Sequence, residues 1–350
     1  DGFHIHAEVK IEMDAASLFA TAQAIGSGIL AISHVLNELK PDMMVVYADR
    51  FEGFAAVIAA SQMNIPTAHI EGGDLTEGGA LDDSVRHAMT KLAHLHFTTN
   101  QQATNRIIAM GEEAWRVHTV GFPAIDLISE GRFASTTEVA EWLSLDLSRP
   151  IVLFTQHSVS TEFRQAALQL APSLLAIERL AAEGVQTILT YPNNDAGGQA
   201  IIEQLEIFRS AQIPNTQVCR SLGRHLYHGV LALASDPSSR VACVGNSSSG
   251  LKETPAFGSP TVNIGSRQEG RLRGENVLDT GYDADGIYTA TQCCLHDEDF
   301  RALSRRAENP YWLGDAGPKI ADVLATAPLG QRIIRKRMTL KGETQDGWYR

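Results

Sequence analysis

Cysteine is scarce in this 350-residue chain, limited to Cys219, Cys243, Cys293 and Cys294. No CxxC pair and no clustered Cys/His spacing suits a metal, and the adjacent Cys293 and Cys294 do not make an ordinary disulfide. No metal site is expected, and a reducing cytoplasm is the expected setting. Positive charge is also short: 29 Lys and Arg face 41 Asp and Glu, a formal net charge of −12. Such a chain has no broad basic face to neutralise phosphates, which argues against a nucleic-acid partner. The basic run RIIRKRMTLK at 332–341 reads as the solvated face of a terminal helix. No uninterrupted apolar run approaches the roughly 20 residues that cross a bilayer, and no signal-peptide pattern opens the chain. Both GxxxxGK[ST] and GxGxxG are missing, so a Walker-type triphosphate site and nicotinamide binding lack support. Internal repeats and low-complexity tracts are lacking too.

What is present is a repeated βα pattern. Apolar runs MMVVY (43–47), TAHI (67–70), HLHFTT (94–99), RVHTVG (116–121), IVLF (151–154), QTILT (186–190), VACVG (241–245) and TVNIG (261–265) are bounded by Gly, Pro or polar residues. Continuous apolar strands imply burial on both faces, hence a parallel sheet covered by helices. Helices are expected at about 15–39, 51–63, 83–93, 101–110, 163–183, 199–212 and 222–234, with Pro172 kinking or dividing the fifth. The fold class is α/β, and the length favours two Rossmann-like domains. The polar, proline-ended LDLSRP places the boundary near 148: residues 1–148, then 149–320, with a helix in 321–350 packing back on the first domain. The chain opens on Asp1 in a loop-and-strand-like stretch, DGFHIHAEVK, so a natural N-terminal segment is expected to be missing from it.

The polar residues gather at the carboxyl ends of these strands, where open α/β sheets bind ligands. Asp49-Arg50 follows MMVVY, Glu71 follows TAHI, His157 follows IVLF, Asn193 follows QTILT, and GNSSSG (245–250) follows VACV. In HIEGGDLTEGGALDDSVRHAMTKLAHLHF (69–97), Glu71 precedes a glycine-rich loop and then Asp82 and Asp83 at a helix start. Carboxylates projected from neighbouring elements are equipment for moving protons. The competing reading is a capped helix after an ordinary βα loop. In GNSSSGLKETPAFGSP the hydroxyls open a helix and offer N–H groups to an anion. Glu253 sits one or two turns along it, where it can accept from two vicinal ribose hydroxyls; otherwise it is a solvent-facing glutamate behind a serine cap. Arg267, Arg271 and Arg273 follow TVNI; the first suits a diphosphate, the other two a charged surface loop. His4, His6, His34, His118, His228 and His296 get no functional role.

Taken in order, YADRFE, HIEGGD, LDDSVRHAMTKLAHLHF, VGFPAID, YPNNDAG, GNSSSGLKETPAFGSPTVNIGSRQEGR and GENV resemble the motifs of the UDP-N-acetylglucosamine 2-epimerase family, in particular its hydrolysing branch. The resemblance spans about residues 35–285. It implies a GT-B arrangement with the nucleotide sugar in an interdomain cleft, and release of UDP with a free 2-epimerised sugar for sialic- or legionaminic-acid-type synthesis. By position, Asp49, Glu71 and Asp82 resemble the acidic catalytic residues and His157 the catalytic histidine. Arg50 and Asn193 resemble substrate contacts, Ser247 and Ser248 the diphosphate-binding serines, Glu253 the ribose or uridine contact, and Arg267 a further nucleotide-site arginine. No cofactor or metal is implied, and a homo-oligomer, dimer or tetramer, is expected. The family's opening strand and its GTRxDxxK-like loop, which supplies a diphosphate arginine, have no counterpart here. The stretch from Glu71 to Asp82 is slightly longer than in the family, which leaves Asp82 and Asp83 interchangeable. TQHSVS lacks the proline that commonly follows the histidine.

Residue chemistry and resemblance together imply elimination. One of Asp49, Glu71 or Asp82 assists loss of the C2 proton, the nucleotide departs anti to it, and water adds across the glycal double bond. His157 either hydrogen-bonds the diphosphate or relays a proton. The rivals are a non-hydrolysing 2-epimerase, a GT-B glycosyltransferase, and a nucleotide-sugar-binding protein without catalysis. Uridine against guanosine, and N-acetylglucosamine against a 2,4-diacetamido sugar, stay open.

Overall fold

Eight expected apolar runs are strands in the computed structural model, which describes residues 2–11, 17–76 and 81–340. The first sheet is parallel, in order β1-β2-β3-β4: β1 Met44–Tyr47, β2 Thr67–Ile70, β3 Leu95–Thr98 and β4 Val117–Thr119. The second, also parallel, runs β10-β9-β8-β5-β6-β7, with β5 Ile151–Thr155, β6 Gln186–Thr190, β7 Thr216–Cys219, β8 Val241–Gly245, β9 Thr261–Ile264 and β10 Val277–Thr280. The central β5, β6 and β8 are buried along their whole length. Strands β7 and β10 carry no apolar run. They are the two edges, only half-buried, so little selects for hydrophobicity there.

The chain divides into two compact units: residues 1–74, 79–123 and 311–350, and residues 75–78 with 124–310. This division falls at 123/124, upstream of the 148 expected from LDLSRP. Ile128, Ala134, Val139, Leu143 and Leu145 explain it, because they are buried with Ile151, Leu153, Val230 and Val241 in one apolar cluster of the second unit. The other face of that sheet is covered by Leu170, Ile177, Leu205, Ile287 and their neighbours. In the first unit, Ala68, Leu95, Phe97 and Val120 pack against Ala316, Ile320 and Ile333.

Four sequence expectations change. Pro172 lies inside one continuous helix, Ala166–Ala182. The hydrogen bond it forfeits is to residue 168, whose side chain is exposed, so the freed carbonyl is on the wet side. Residues 332–340 are not a solvated helix face. Helix Gln331–Ile334 ends early, Ile333 is buried, and Arg116 donates to the carbonyls of Ile333 (2.8 Å) and Arg335 (3.0 Å). Lys336 Nζ pairs with buried Glu112 at 2.8 Å and caps the carbonyls of Lys91 and Ala93. Helix Leu18–Leu39, of 22 residues with an 18-residue window of mean hydropathy 1.4, is long and apolar enough to cross a membrane by length and composition, a test that core helices and signal sequences also pass. Its apolar pattern is interrupted by Gln23, Ser27, Ser33 and His34 among others, and the hydroxyls of Ser27 and Ser33 return to the carbonyls of Ala24 and Leu30. Finally, the helix opened by GNSSSG is only Ser249–Lys252, and a second short helix, Thr254–Phe257, follows it with Pro255 in its first turn. Glu253 is the joint between the two.

Candidate functional site

In the first unit the chemistry sits just past β1 and β2. Ala48, directly before Asp49, has φ 58°, and Glu71 has φ 70°; both are left-handed, which costs a non-glycine residue and concentrates at sites of function. The Ala48 turn is held from both sides: its N–H donates to Ile70 O at 2.9 Å, and His69 Nε2 donates to its carbonyl at 2.7 Å. That bond fixes the proton on Nε2 and leaves Nδ1 to accept from Thr90 Oγ1 at 3.2 Å. Burial pushes the His69 ring down to about 4. Glu71 is itself buried, with its N–H on Phe97 O at 2.8 Å.

Helix Leu81–Leu92 brings two acidic residues into its first turn, Asp82 half-buried and Asp83 buried. Arg86, one turn on and buried, donates to Asp83 Oδ1 at 2.6 Å, to Asp74 O at 2.9 Å and to Asp49. Asp49 and Asp83 are therefore joined through one guanidinium. Arg50 is exposed and pairs with Glu52 at 3.2 Å. The stretch from Glu71 to Asp82, expected to be slightly longer than in the family, includes residues 77–80, which lie outside the described residues. Asp83 and Arg86 had a legible signal in their i, i+3 spacing on an acidic helix start. His69 had none, because a buried strand histidine reads as core.

In the second unit the loops after β5 and β9 converge on Asn246, just past β8, and the loop after β6 joins them through His157. Its N–H donates to Thr155 O at 3.0 Å, its Oδ1 accepts His157 N–H at 2.6 Å, and its Nδ2 donates to His157 O at 2.9 Å. Its carbonyl accepts from Arg267 at 3.2 Å and Gln268 at 2.8 Å. Gly245 makes this approach possible: it has φ 135°, and an added Cβ would lie 1.9 Å from Thr155 O. His157 Nδ1 accepts the Asn193 N–H at 3.0 Å, so its proton is on Nε2. Burial, and then Arg267, lower this ring to about 3. His157 is therefore a neutral donor at physiological pH rather than an acid. Asn193 Nδ2 donates to Asp195, and Arg267 lies 3.8 Å from the same carboxylate.

Ser247 and Ser248 are half-buried, and their N–H groups have no protein acceptor among the described residues. Because the helix behind them is one turn long, these two amides and hydroxyls, rather than a macrodipole, are what the loop offers an anion. Glu253 lines a cavity of about 320 Å³ with Tyr191, Arg220, Tyr227, His228 and Ser249. Its Oε2 accepts from Ser249 Oγ at 2.7 Å and His228 Nε2 at 3.0 Å. Thus His157, Asn193, Ser247, Ser248, Glu253 and Arg267 share one unit, and Asp49, Arg50, Glu71 and Asp82 the other. Arg271 and Arg273 are structural: Arg271 bonds Leu75 O (2.6 Å) and Thr76 Oγ1 (2.8 Å), and Arg273 pairs with Asp279. Among the described residues no group of three or more His, Cys, Asp and Glu could hold a metal ion.

Residues 1–325 match the model of the family described as UDP-N-acetylglucosamine 2-epimerase. The chain is 33% identical over 269 residues to the UDP-N-acetylglucosamine 2-epimerase of Neisseria meningitidis serogroup B, covering 77% of this chain and 67% of that one. It is 30% identical over 336 residues to the UDP-N,N′-diacetylbacillosamine 2-epimerase (hydrolyzing) of Legionella pneumophila, covering 96% and 84%. Among solved structures it resembles the Neisseria meningitidis UDP-GlcNAc 2-epimerase bound to UDP-GlcNAc, with a TM-score of 0.71 at 20% identity over 87% of this chain and 82% of that one. That likeness shows the fold, the GT-B class built from two Rossmann-like α/β units.

Proposed function

The chain belongs to the UDP-N-acetylglucosamine 2-epimerase family, and from that premise we propose that it is a hydrolysing nucleotide-sugar 2-epimerase. Its substrate is UDP-N-acetylglucosamine or a UDP-2,4-diacetamido-trideoxyhexose, and its products are UDP and the free manno-configured sugar, the kind that feeds sialic- or legionaminic-acid-type synthesis. The observation that carries this reading is the first unit's acidic set: Asp49 and Asp83 joined through buried Arg86, half-buried Asp82 beside them, and buried Glu71 at the end of β2. A glycosyltransferase needs no such set of carboxylates to bind its donor. The Legionella relative, hydrolysing by name, supports the same branch.

In the first step a carboxylate among Asp49, Glu71 and Asp82 takes the C2 proton, the C1–O bond breaks, and UDP leaves with the electron pair. The glycal then gains hydroxide at C1 and a proton at C2 from the opposite face. Ser247, Ser248 and Arg267 stabilise the charge that develops on the departing diphosphate, and His157 donates Nε2–H to a phosphate oxygen. Glu253 takes the ribose, and Arg50 and Asn193 contact the substrate. A homo-oligomer acting in the cytoplasm is part of the same proposal; the four free thiols agree with that compartment.

The test is a reaction in deuterium oxide followed by product NMR. Free UDP and a manno sugar carrying deuterium at C2 are expected. A gluco sugar with protium at C2 would mark a simple hydrolase, and UDP-sugar returned without free UDP would mark the non-hydrolysing branch.

A further inference from the structure

The carboxylate of Glu253 is not presented symmetrically to the cavity it lines. Oε2 is saturated by two protein donors, Ser249 Oγ and His228 Nε2. Oε1 has no hydrogen-bond partner among the described residues, and the Glu253 side chain keeps 16% of its surface open. His228 is buried. Its ring is wedged against Tyr227 and Phe257, with centroids 6.4 and 5.4 Å away. Donating to a carboxylate places its proton on Nε2, and its Nδ1 is buried without a partner. A buried ring that leaves one nitrogen unsatisfied is held there by what the other nitrogen does.

We infer that His228 is a positioning residue for nucleotide recognition: it pins Oε2 of Glu253 and leaves Oε1 alone to accept one hydroxyl of the ligand's ribose. The two vicinal hydroxyls are then unequal, and a nucleotide lacking the one that meets Oε1 is selected against. A freely rotating glutamate would instead accept from both. The inference rests on the nucleotide reading of this cavity and deepens it.

The experiment is calorimetric titration of the whole chain with UDP, 2′-deoxy-UDP and 3′-deoxy-UDP, for the wild type, His228→Leu and His228→Gln. Leucine removes the donor at similar volume; the glutamine amide reaches the place of Nε2 and restores it. In the wild type one deoxy nucleotide binds about tenfold or more weaker than UDP, and the other does not. His228→Leu should weaken UDP by about tenfold yet leave the poorly bound deoxy nucleotide within about threefold, and His228→Gln should recover UDP binding. If the leucine variant does not fold, His228→Asn, whose amide stops short of Oε2, takes its place with the same expectation. Unchanged UDP affinity in the leucine variant (or the asparagine variant in its place), or an equal loss there on all three nucleotides, overturns the role of His228 while leaving the nucleotide site standing. A wild-type chain that binds no UDP overturns the nucleotide reading itself, and this inference with it.

Discussion

Replacing Arg86 by methionine isolates the group that joins the carboxylates of the first unit. Arg86 is 2% exposed, and its guanidinium donates to Asp83 Oδ1 at 2.6 Å, to Asp74 O at 2.9 Å and to Asp49. Methionine keeps most of the stem's packing and removes every donor. The Asp49 side chain is 21% exposed and regains some water, whereas Asp83, at 5%, becomes a buried charge with its cation gone. Breaking a buried pair from one side costs about 3–5 kcal/mol. Since Asp49 is partly solvated, the lower end, about 3 kcal/mol, is the expected loss. The assay is urea unfolding of the wild type, Arg86→Met, Asp83→Asn and the double variant. Removing both charges leaves no fully buried orphan, only the partly solvated Asp49, so the double variant should recover about 1–3 kcal/mol relative to the sum of the singles. Arg86→Lys should stay well below wild type, because one ammonium cannot reproduce a fork aimed at three acceptors. Because the pair is buried, 1 M salt should change the deficit little. An Arg86→Met variant within about 1 kcal/mol of wild type, or single and double variants that simply add, would refute the reasoning.

The other expectations concern pH, binding and turnover. Burial holds His69 and His96 near 4 in the folded state, below the 6.5 of a free ring. The unfolded chain therefore binds more protons below 6.5, so their stability contribution is complete above 6.5 and is lost as pH falls toward 4, by about 1–3 kcal/mol per ring. Glu112, lowered to about 2, has the ordinary carboxylate sign and adds its own loss only below 4.5. Urea midpoints should thus fall between pH 7 and 5, and a flat profile there would contradict the burial of these rings. Glu253→Ala should weaken UDP binding by about 1–3 kcal/mol by calorimetry, through loss of a charge-assisted acceptor; unchanged affinity would remove the cavity from the nucleotide site. Asp49→Asn, Glu71→Gln and Asp82→Asn should each lower turnover by at least about 10²-fold, since the amides keep shape and lose basicity. If Asp82→Asn is silent and Asp83→Asn is damaging, the buried member of the pair is the functional one.

Local chemistry made the buried parallel strands readable, because IVLF and VACVG have no polar face to offer water. The same logic placed Asp49, Glu71, His157 and GNSSSG just past strand ends, since a βα loop follows directly in sequence. Edge strands β7 and β10 escaped notice for the converse reason: half their surface needs no apolar residue. The boundary escaped too, because the side chains of residues 124–145 choose their unit by packing against strands that come later in the chain. Tertiary structure alone decided the partners. Asp49 meets Arg86 from a helix 37 residues on, Asn246 ties down His157 across 89 residues, and His228 finds Glu253 across 25. No local pattern encodes such pairs. A histidine on an apolar helix reads the same whether its ring fills space or pins a carboxylate, and only the folded sheet, by bringing separate loops to one edge, settles which it does.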